Sequence, residues 1–237
     1  MIDLSLVIPC YNEEQNIPLI FKRILEIIPA DIQLEVILVN NGSKDQTKSV
    51  ILDQIQKSSP VFVLCDVPVN IGYGHGILSG LAVAKGEVLT WTHADMQTDP
   101  VDVIKAFRLY KSLNDKTVFV KGERKNRALG PNIFTWGMSV IASISLKETL
   151  TDIGAQPKLF SREFYEKHLK TGAPPDFSLD LYAMYFAKKF GRIETFPVVF
   201  ANRAFGEAKG GGSFKTRIKV TKRVLNFIFE LKKKIKS

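Results

Sequence analysis

Short β-rich apolar runs along this chain are each followed by a polar turn and then by a segment whose apolar positions recur every three to four residues. Residues 3–8 form the first run, stopped by Pro9; Tyr11, Asn12, Glu13 and Glu14 then lead into a helical pattern with Ile17, Ile20, Phe21, Ile24 and Leu25 on one face. Residues 34–39 run into Asn40, Asn41, Gly42 and Ser43 before a helix carrying Val50, Ile51 and Ile55. Residues 61–65 lead to a glycine-rich turn at 70–76 and another helix, and residues 88–92 end in a turn bearing His93, Asp95, Gln97 and Asp99 before Pro100 opens the next helix. Further on, 118–121 reads as a parallel or edge strand, 130–146 as an uncharged helix that is buried or interfacial, and 194–200 as a strand. Between them an amphipathic helix turns Leu181, Met184, Tyr185 and Ala187 inward. Strands alternating with helices of this length predict an α/β fold built on βαβ units, with a mostly parallel sheet and helices on both faces.

Composition fits this picture, since 237 residues at 45% hydrophobic can bury a full core as one domain with an appendage. The expected division is a main domain over 1–207 and a glycine hinge with a basic amphipathic helix over 208–237. The net charge of +9 is uneven: residues 208–237 hold ten Lys or Arg against Glu230, while the remainder carries 23 basic and 23 acidic residues. A neutral body argues against nucleic acid as a partner, and the cationic tail points to an anionic surface. The first residues lack the pattern of a secretory signal, which leads to the expectation of a cytoplasmic location. No window reaches the roughly 18 apolar residues of a membrane span. Cys10 and Cys65 lie in or beside strands and read as buried free thiols.

Chemistry concentrates in residues 86–100, GEVLTWTHADMQTDP, where a strand delivers acceptor groups to its own C-terminal edge. That edge is where open α/β sheets bind ligands, and a carboxylate flanked by an imidazole and an amide suits a divalent cation bridging phosphate oxygens. A polar turn with an ordinary helix cap is the alternative. Gly72, Gly74 and Gly76 invite a dinucleotide reading, but Ile77 stands where GxGxxG needs its third glycine, so the cluster reads as a tight turn into a closely packed helix.

The segments PCYNEEQNI, VNNGSKDQT, NIGYGHGILSGLAVAKGE, HADMQTDP and FPVVFANRAFGEAKG, in that order, resemble the inverting family 2 glycosyltransferases of GT-A fold, and within them the polyprenyl-phosphate sugar synthases. The resemblance spans roughly residues 3–210. It implies a GT-A fold and transfer of a sugar from a nucleotide-sugar donor to a polyprenyl-phosphate or lipid-linked glycan acceptor. It assigns Pro9, Tyr11 and Glu13 to the nucleotide base and ribose, and Asn41, one of two amides where the family has acidic residues, to the base or ribose. His93, Asp95 and Gln97 match the family's DxD-type motif, with Asp95 as the principal ligand of a metal that offsets charge on the leaving diphosphate. His93 is either a ligand, which would favour Mn²⁺ over Mg²⁺, or a neutral hydrogen bonder.

The same resemblance places Arg124 at the acceptor phosphate, with Arg127 as a nearby substitute for a missing second arginine; a solvated basic turn is the alternative. Asp152 and Asp180 fall on acidic acceptor-side positions, where one would serve as base toward a hydroxyl nucleophile and neither is needed for a phosphate. Asp180, like Asp176, also reads as an ordinary helix N-terminal charge. Arg203 and Lys209 match a loop that closes over phosphates, and Gly210 to Gly212 read as its hinge. The last helix sets Phe214, Ile218, Leu225, Ile228 and Phe229 on one stripe with Lys215, Lys219, Lys222 and Arg223 away from it. That is the pattern of a peripheral helix at the inner face of the cell membrane; packing on the body, or on a second subunit in a homo-oligomer, is the alternative. A sugar nucleotidyltransferase and a non-catalytic nucleotide-sugar-binding protein on a transferase scaffold are the rival functions.

Overall fold

The computed structural model describes residues 1–125, 129–206 and 214–236. Three βαβ units open the chain: β1 (Leu4–Cys10), α1 (Ile17–Ile27), β2 (Leu34–Asn41), α2 (Thr47–Lys57), β3 (Phe62–Val67), α3 (Tyr73–Val83) and β4 (Val88–Trp91). Helix α4 (Val101–Leu113), strand β5 (Val118–Lys125) and helix α5 (Leu129–Leu146) follow. The chain then forms β6 (Lys158–Ser161), a short α6 (Arg162–Phe164) continued by a π-helical turn at Tyr165–Leu169, α7 (Leu179–Phe190), β7 (Arg192–Val199) and α8 (Phe214–Lys236).

The seven strands form one sheet in the order β3-β2-β1-β4-β6-β5-β7. Only β6 is reversed, pairing antiparallel with β4 through Leu89 and Phe160 and with β5 through Val120 and Leu159. A strand inserted late in the chain thus separates β4 from β5, an arrangement that local periodicity does not encode. Strand β1 runs two residues past the expected end at Ile8, through Pro9 to Cys10. Its pairing with β4 ends at Val7 while that with β2 continues, so Pro9 lies where β1 has a single neighbour and a missing N–H is tolerated.

Period-2 alternation sends Val7, Ile37, Val39, Leu89 and Phe160 to one face, where α3, α5, α7 and α8 cover them, and Leu6, Ile8, Val36, Leu38 and Leu159 to the other, under α1, α2 and α4. Helix α3 lies close on the sheet because Gly80 has no side chain: a Cβ there would stand 2.4 Å from Val7 Cγ1 and 2.7 Å from Val39 Cγ2. Helix α8 joins the core through Val224, Ile228 and Leu231, with Val220, Leu225 and Phe227 packed partly against it. The buried stripe therefore differs from the expected one: Ile228 is buried, whereas Ile218 and Phe229 face outward. The hinge expected at Gly210 to Gly212, like Arg127, lies outside the described residues. Cys10 and Cys65 are free thiols, the first fully buried.

Candidate active site

The C-terminal ends of β1, β2 and β4 open into a cavity of about 540 Å³. Pro9, Tyr11 and Glu13 line it from the first loop, Asn41 from the second, His93, Asp95 and Gln97 from the turn after β4, Arg124 from β5 and Arg203 from the loop after β7. All nine were expected from the sequence, and they meet because parallel strands leave every following loop on one edge. Lys209 lies outside the described residues.

The turn after β4 folds back on itself, with Met96 at a φ of 58° and the Gln97 N–H donating to Asp95 Oδ1 at 3.1 Å. Two bonds join this turn to the loop after β7: Ala201 N–H donates to Gln97 O at 2.8 Å, and Gln97 Nε2 donates to Ala201 O at 3.2 Å. The first bonds of that loop thereby set Arg203 over Asp95. Its Nη2 reaches Asp95 Oδ2 at 2.8 Å, and its Nη1 lies 3.6 Å from Glu13 Oε1. Asn16 fastens the other side, donating to Glu13 Oε2 at 2.6 Å and to Phe205 O at 3.4 Å.

The remaining carboxylates stand behind the wall, each on a cation. Asp152 takes the Arg124 backbone N–H at 3.0 Å and Nε at 2.9 Å, with a further contact from Nη2. Burial raises the Asp152 carboxyl, but the Arg124 hydrogen bonds and charge outweigh it and hold the group below the usual range. Arg124 also lies against the Phe200 ring at 5.3 Å, which leaves its guanidinium fixed at the cavity wall. Asp180, in the first turn of α7, receives Lys158 Nζ at 2.7 Å and Gln156 Nε2 at 3.2 Å. Lys158 is wholly buried on β6 and donates as well to Ala155 O at 2.8 Å. Burial pushes its ammonium down, and the Asp180 charge opposes that.

Gln156 Nε2 continues from Asp180 to the Tyr73 hydroxyl at 3.3 Å, and that hydroxyl sits 3.1 Å from His93 Nε2. Tyr73 stacks on Phe177, with ring centroids 5.0 Å apart. Burial is the main cause holding the Tyr73 phenol well above its ordinary range, and the Asp180 charge adds to it, so it stays a donor. Burial lowers the His93 imidazole, against the opposing charges of Asp95 and Asp180. Sequence reasoning missed Tyr73, Gln156, Lys158 and Phe177. Tyr73 was hidden inside a glycine cluster read as a turn, while the lone lysine of an otherwise apolar strand was the visible signal for Lys158.

In the second loop, Asn40 donates to Asp66 Oδ1 at 2.7 Å and is structural, whereas Asn41 faces the cavity and donates to Gly72 O at 3.0 Å. Gly72 and Gly74 let the start of α3 approach the backbone of Pro174, Pro175 and Asp176, where a Cβ would stand 2.2 and 2.6 Å from carbonyl oxygens. The cluster opens α3 as expected, but Gly72 and Gly74 are there for a close backbone contact on the cavity rim, where the sequence suggested close packing of the helix on the sheet.

Among the described residues no cluster of three His, Cys, Asp or Glu side chains is placed to hold a metal. The donor set fits a divalent ion of the kind held by one carboxylate and a ligand's phosphates, and the Arg203 guanidinium already marks a cationic position on Asp95.

Residues 5–169 match the family described as Glycosyl transferase family 2. A dolichyl-phosphate beta-glucosyltransferase of Trichomonas vaginalis is 31% identical over 173 residues, covering 68% of this chain and 53% of its own. An undecaprenyl-phosphate 4-deoxy-4-formamido-L-arabinose transferase of Photorhabdus laumondii is 26% identical over 211 residues, covering 87% and 62%. The chain thus spans between half and two thirds of the length of these relatives. Among solved structures, glucosyl-3-phosphoglycerate synthase of Mycobacterium tuberculosis with Mn²⁺, UDP-glucose and phosphoglyceric acid superposes with a TM-score of 0.74 at 16% identity, over 96% of this chain and 79% of the other. A mannosyltransferase of Pyrobaculum calidifontis with GDP-mannose and Mn²⁺ gives 0.63 at 24% identity, over 88% and 58%. Both likenesses show the GT-A fold.

Proposed function

The chain belongs to glycosyl transferase family 2, and from that premise we propose that it is an inverting glycosyltransferase moving a sugar from a nucleotide-sugar donor to a polyprenyl phosphate. The observation that carries this is the single cavity in which the first-strand loop, Asp95 and two arginines converge. Pro9, Tyr11, Glu13 and Asn41 would hold the nucleoside, while Arg203 would leave Asp95 for the diphosphate, supplying positive charge where negative charge develops. Asp95, with Gln97 beside it, would hold a divalent cation, whose chemistry is Lewis-acid stabilisation of the leaving nucleoside diphosphate. The expected Mn²⁺ preference rests on a nitrogen ligand supplied by His93, whose Nε2 is already bonded to Tyr73.

The pairing of both acceptor-side carboxylates supports a phosphate as the acceptor. A hydroxyl nucleophile needs a base, yet Asp152 is held by Arg124 and Asp180 by buried Lys158. A phosphate acceptor arrives ionised and needs none, and Arg124 at the wall offers it a guanidinium. A lipid-linked glycan hydroxyl is the acceptor this arrangement disfavours. No helix among the described residues is long and apolar enough to cross a membrane. We assign contact with the inner face of the cell membrane to α8, whose outward Ile218 and Phe229 share a helix with Lys222 and Lys233.

The deciding experiment incubates purified protein with a panel of nucleotide sugars, Mn²⁺ or Mg²⁺, and either a polyprenyl phosphate or a lipid-linked glycan. Transfer to the phosphate, lost in Asp95→Ala and mildly affected in Asp152→Asn, is expected. Transfer only to the glycan, or full activity in chelator, would overturn the assignment.

A further inference from the structure

The polar chain behind His93 has a direction. Asp180 Oδ1 accepts from Lys158 Nζ at 2.7 Å and from Gln156 Nε2 at 3.2 Å, so the Gln156 amide nitrogen must face the carboxylate, because its oxygen there would be repelled. The second hydrogen of that nitrogen goes to the Tyr73 oxygen at 3.3 Å. Gln156 Oε1 is left buried without a hydrogen-bond partner, which shows that the amide is oriented by Asp180 and Tyr73 and not by its own acceptor. Tyr73 now accepts from Gln156 and has one proton to give. Two acceptors compete for it, His93 Nε2 at 3.1 Å and the Asp180 carboxylate, which acts on the phenol through both its charge and a side-chain hydrogen bond. Asp180 Oδ1 already receives two donors, whereas Tyr73 is the one hydrogen-bond partner of His93 Nε2 among the described residues.

We propose that Tyr73, oriented by Gln156 and Asp180, fixes His93 as its Nδ1–H tautomer, so that His93 donates a hydrogen bond to the donor's diphosphate instead of ligating the metal. With Nε2 turned to Tyr73, Nδ1 is the polar atom that His93 has left for the cavity it lines. The resulting site divides labour by charge: Asp95 takes the cation and His93, two residues earlier on the same turn, meets anionic oxygen directly. Tyr73, Gln156 and Asp180 are positioning residues in this arrangement. The diphosphate as recipient rests on the transferase function proposed above; the tautomer does not.

The test reads the ring nitrogens of ¹⁵N-labelled protein by long-range ¹H–¹⁵N spectroscopy above the imidazole's titration. The chain has three histidines, His75, His93 and His168, and the His93 signals are those lost in His93→Asn. A pyrrole-type Nδ1 and a pyridine-type Nε2 are expected, unchanged in pattern on adding Mg²⁺ with UDP or GDP, and relaxing toward Nε2–H in Tyr73→Phe. An Nε2–H tautomer in the wild-type protein would mean that Tyr73 donates to Asp180 and would overturn the proposal, as would a metal-induced shift of a pyridine-type nitrogen. Kinetics give a second, independent reading. Asn keeps a donor near the Nδ1 position, so His93→Asn should hold the donor KM within about threefold, while His93→Asp and His93→Gln should raise it roughly tenfold or more. Activity of His93→Asp equal to or above wild type would identify position 93 as a metal ligand and sink the inference. An Nε2–H spectrum in an active transferase removes this inference alone. An Nδ1–H spectrum in a protein that transfers no sugar removes the diphosphate recipient together with the proposed function.

Discussion

Replacing Arg203 with Gln separates two roles that one side chain combines. In the present structure its guanidinium lies 2.8 Å from Asp95 Oδ2 and 3.6 Å from Glu13 Oε1, with both carboxylates largely buried. Truncating one partner of a buried pair costs about 3 to 5 kcal/mol, and the lower end applies because Arg203 itself keeps 18% side-chain exposure. The same roughly 3 kcal/mol is what a divalent cation must overcome to take Asp95 from Arg203, so its removal should tighten cation binding without nucleotide by up to about a hundredfold. Thermal unfolding is the assay, with the protein in chelator and then titrated with Mn²⁺ or Mg²⁺ alone. Arg203→Gln should melt below wild type in chelator and regain more of the loss than wild type gains, since a ligand of the native state stabilises it by mass action. Equal metal-induced shifts in the two proteins would refute the argument that Arg203 and a cation compete for Asp95.

Three further outcomes follow from the packing. Lys121 is buried on β5 opposite Lys158, and its pKa is lowered to about 8 by burial first and then by the Lys158 charge. The unfolded chain therefore binds a proton that the native state lacks between about pH 10 and 8, so stability should rise with pH across that window; Lys121→Met should add up to about 3 kcal/mol at pH 7 and little near pH 10. An equal gain at both values in urea unfolding would refute the sign. Gly80→Ala forces a methyl group to 2.4 Å from Val7 Cγ1 and should cost about 1 to 3 kcal/mol, read by the same urea unfolding. For α8, salt-sensitive co-sedimentation of the whole chain with anionic vesicles, weakened in Ile218→Ser with Phe229→Ser, is the expected result; these two side chains lie outside the core, so unchanged binding would assign the helix to the body alone.

The βαβ order and the site edge were legible because each depends on local information. The near-continuous apolar run in 34–39 marks a strand with two buried faces, and a polar turn after such a run marks the edge where ligands bind. The reversed β6 was not legible, since its place between β4 and β5 is a long-range pairing through Leu89, Phe160, Val120 and Leu159. In α8 the apolar residues occupy more than one face, and periodicity alone could not say that Val224, Ile228 and Leu231 would be the ones to enter the core. The roles of Asp152 and Asp180 were open for the same reason. A carboxylate in sequence is a base, a ligand or half of an ion pair, and the partner that decides is remote in both cases: Arg124 is 28 residues from Asp152, and Lys158 lies on strand β6 while Asp180 lies on helix α7.

The cations of this site differ in whether they can leave, and that difference orders the chemistry. Lys158 has no solvent exposure and is anchored by Asp180 and the Ala155 carbonyl, so withdrawing it would strand two charges in the core. Arg124 is held by backbone and side-chain bonds to Asp152 and by the Phe200 ring, and its position is set before any ligand arrives. Arg203 is the exception, a partly exposed side chain on a loop stitched to the β4 turn through Gln97 and Ala201. In the proposed function an incoming diphosphate would draw Arg203 off Asp95 and leave that carboxylate to hold a divalent cation, so that positive charge would face it before and after the exchange. Arg124 is then the fixed cation at the cavity wall, with Lys158 buried behind it on Asp180, and the loop carrying Arg203 is the part whose contacts donor binding would change.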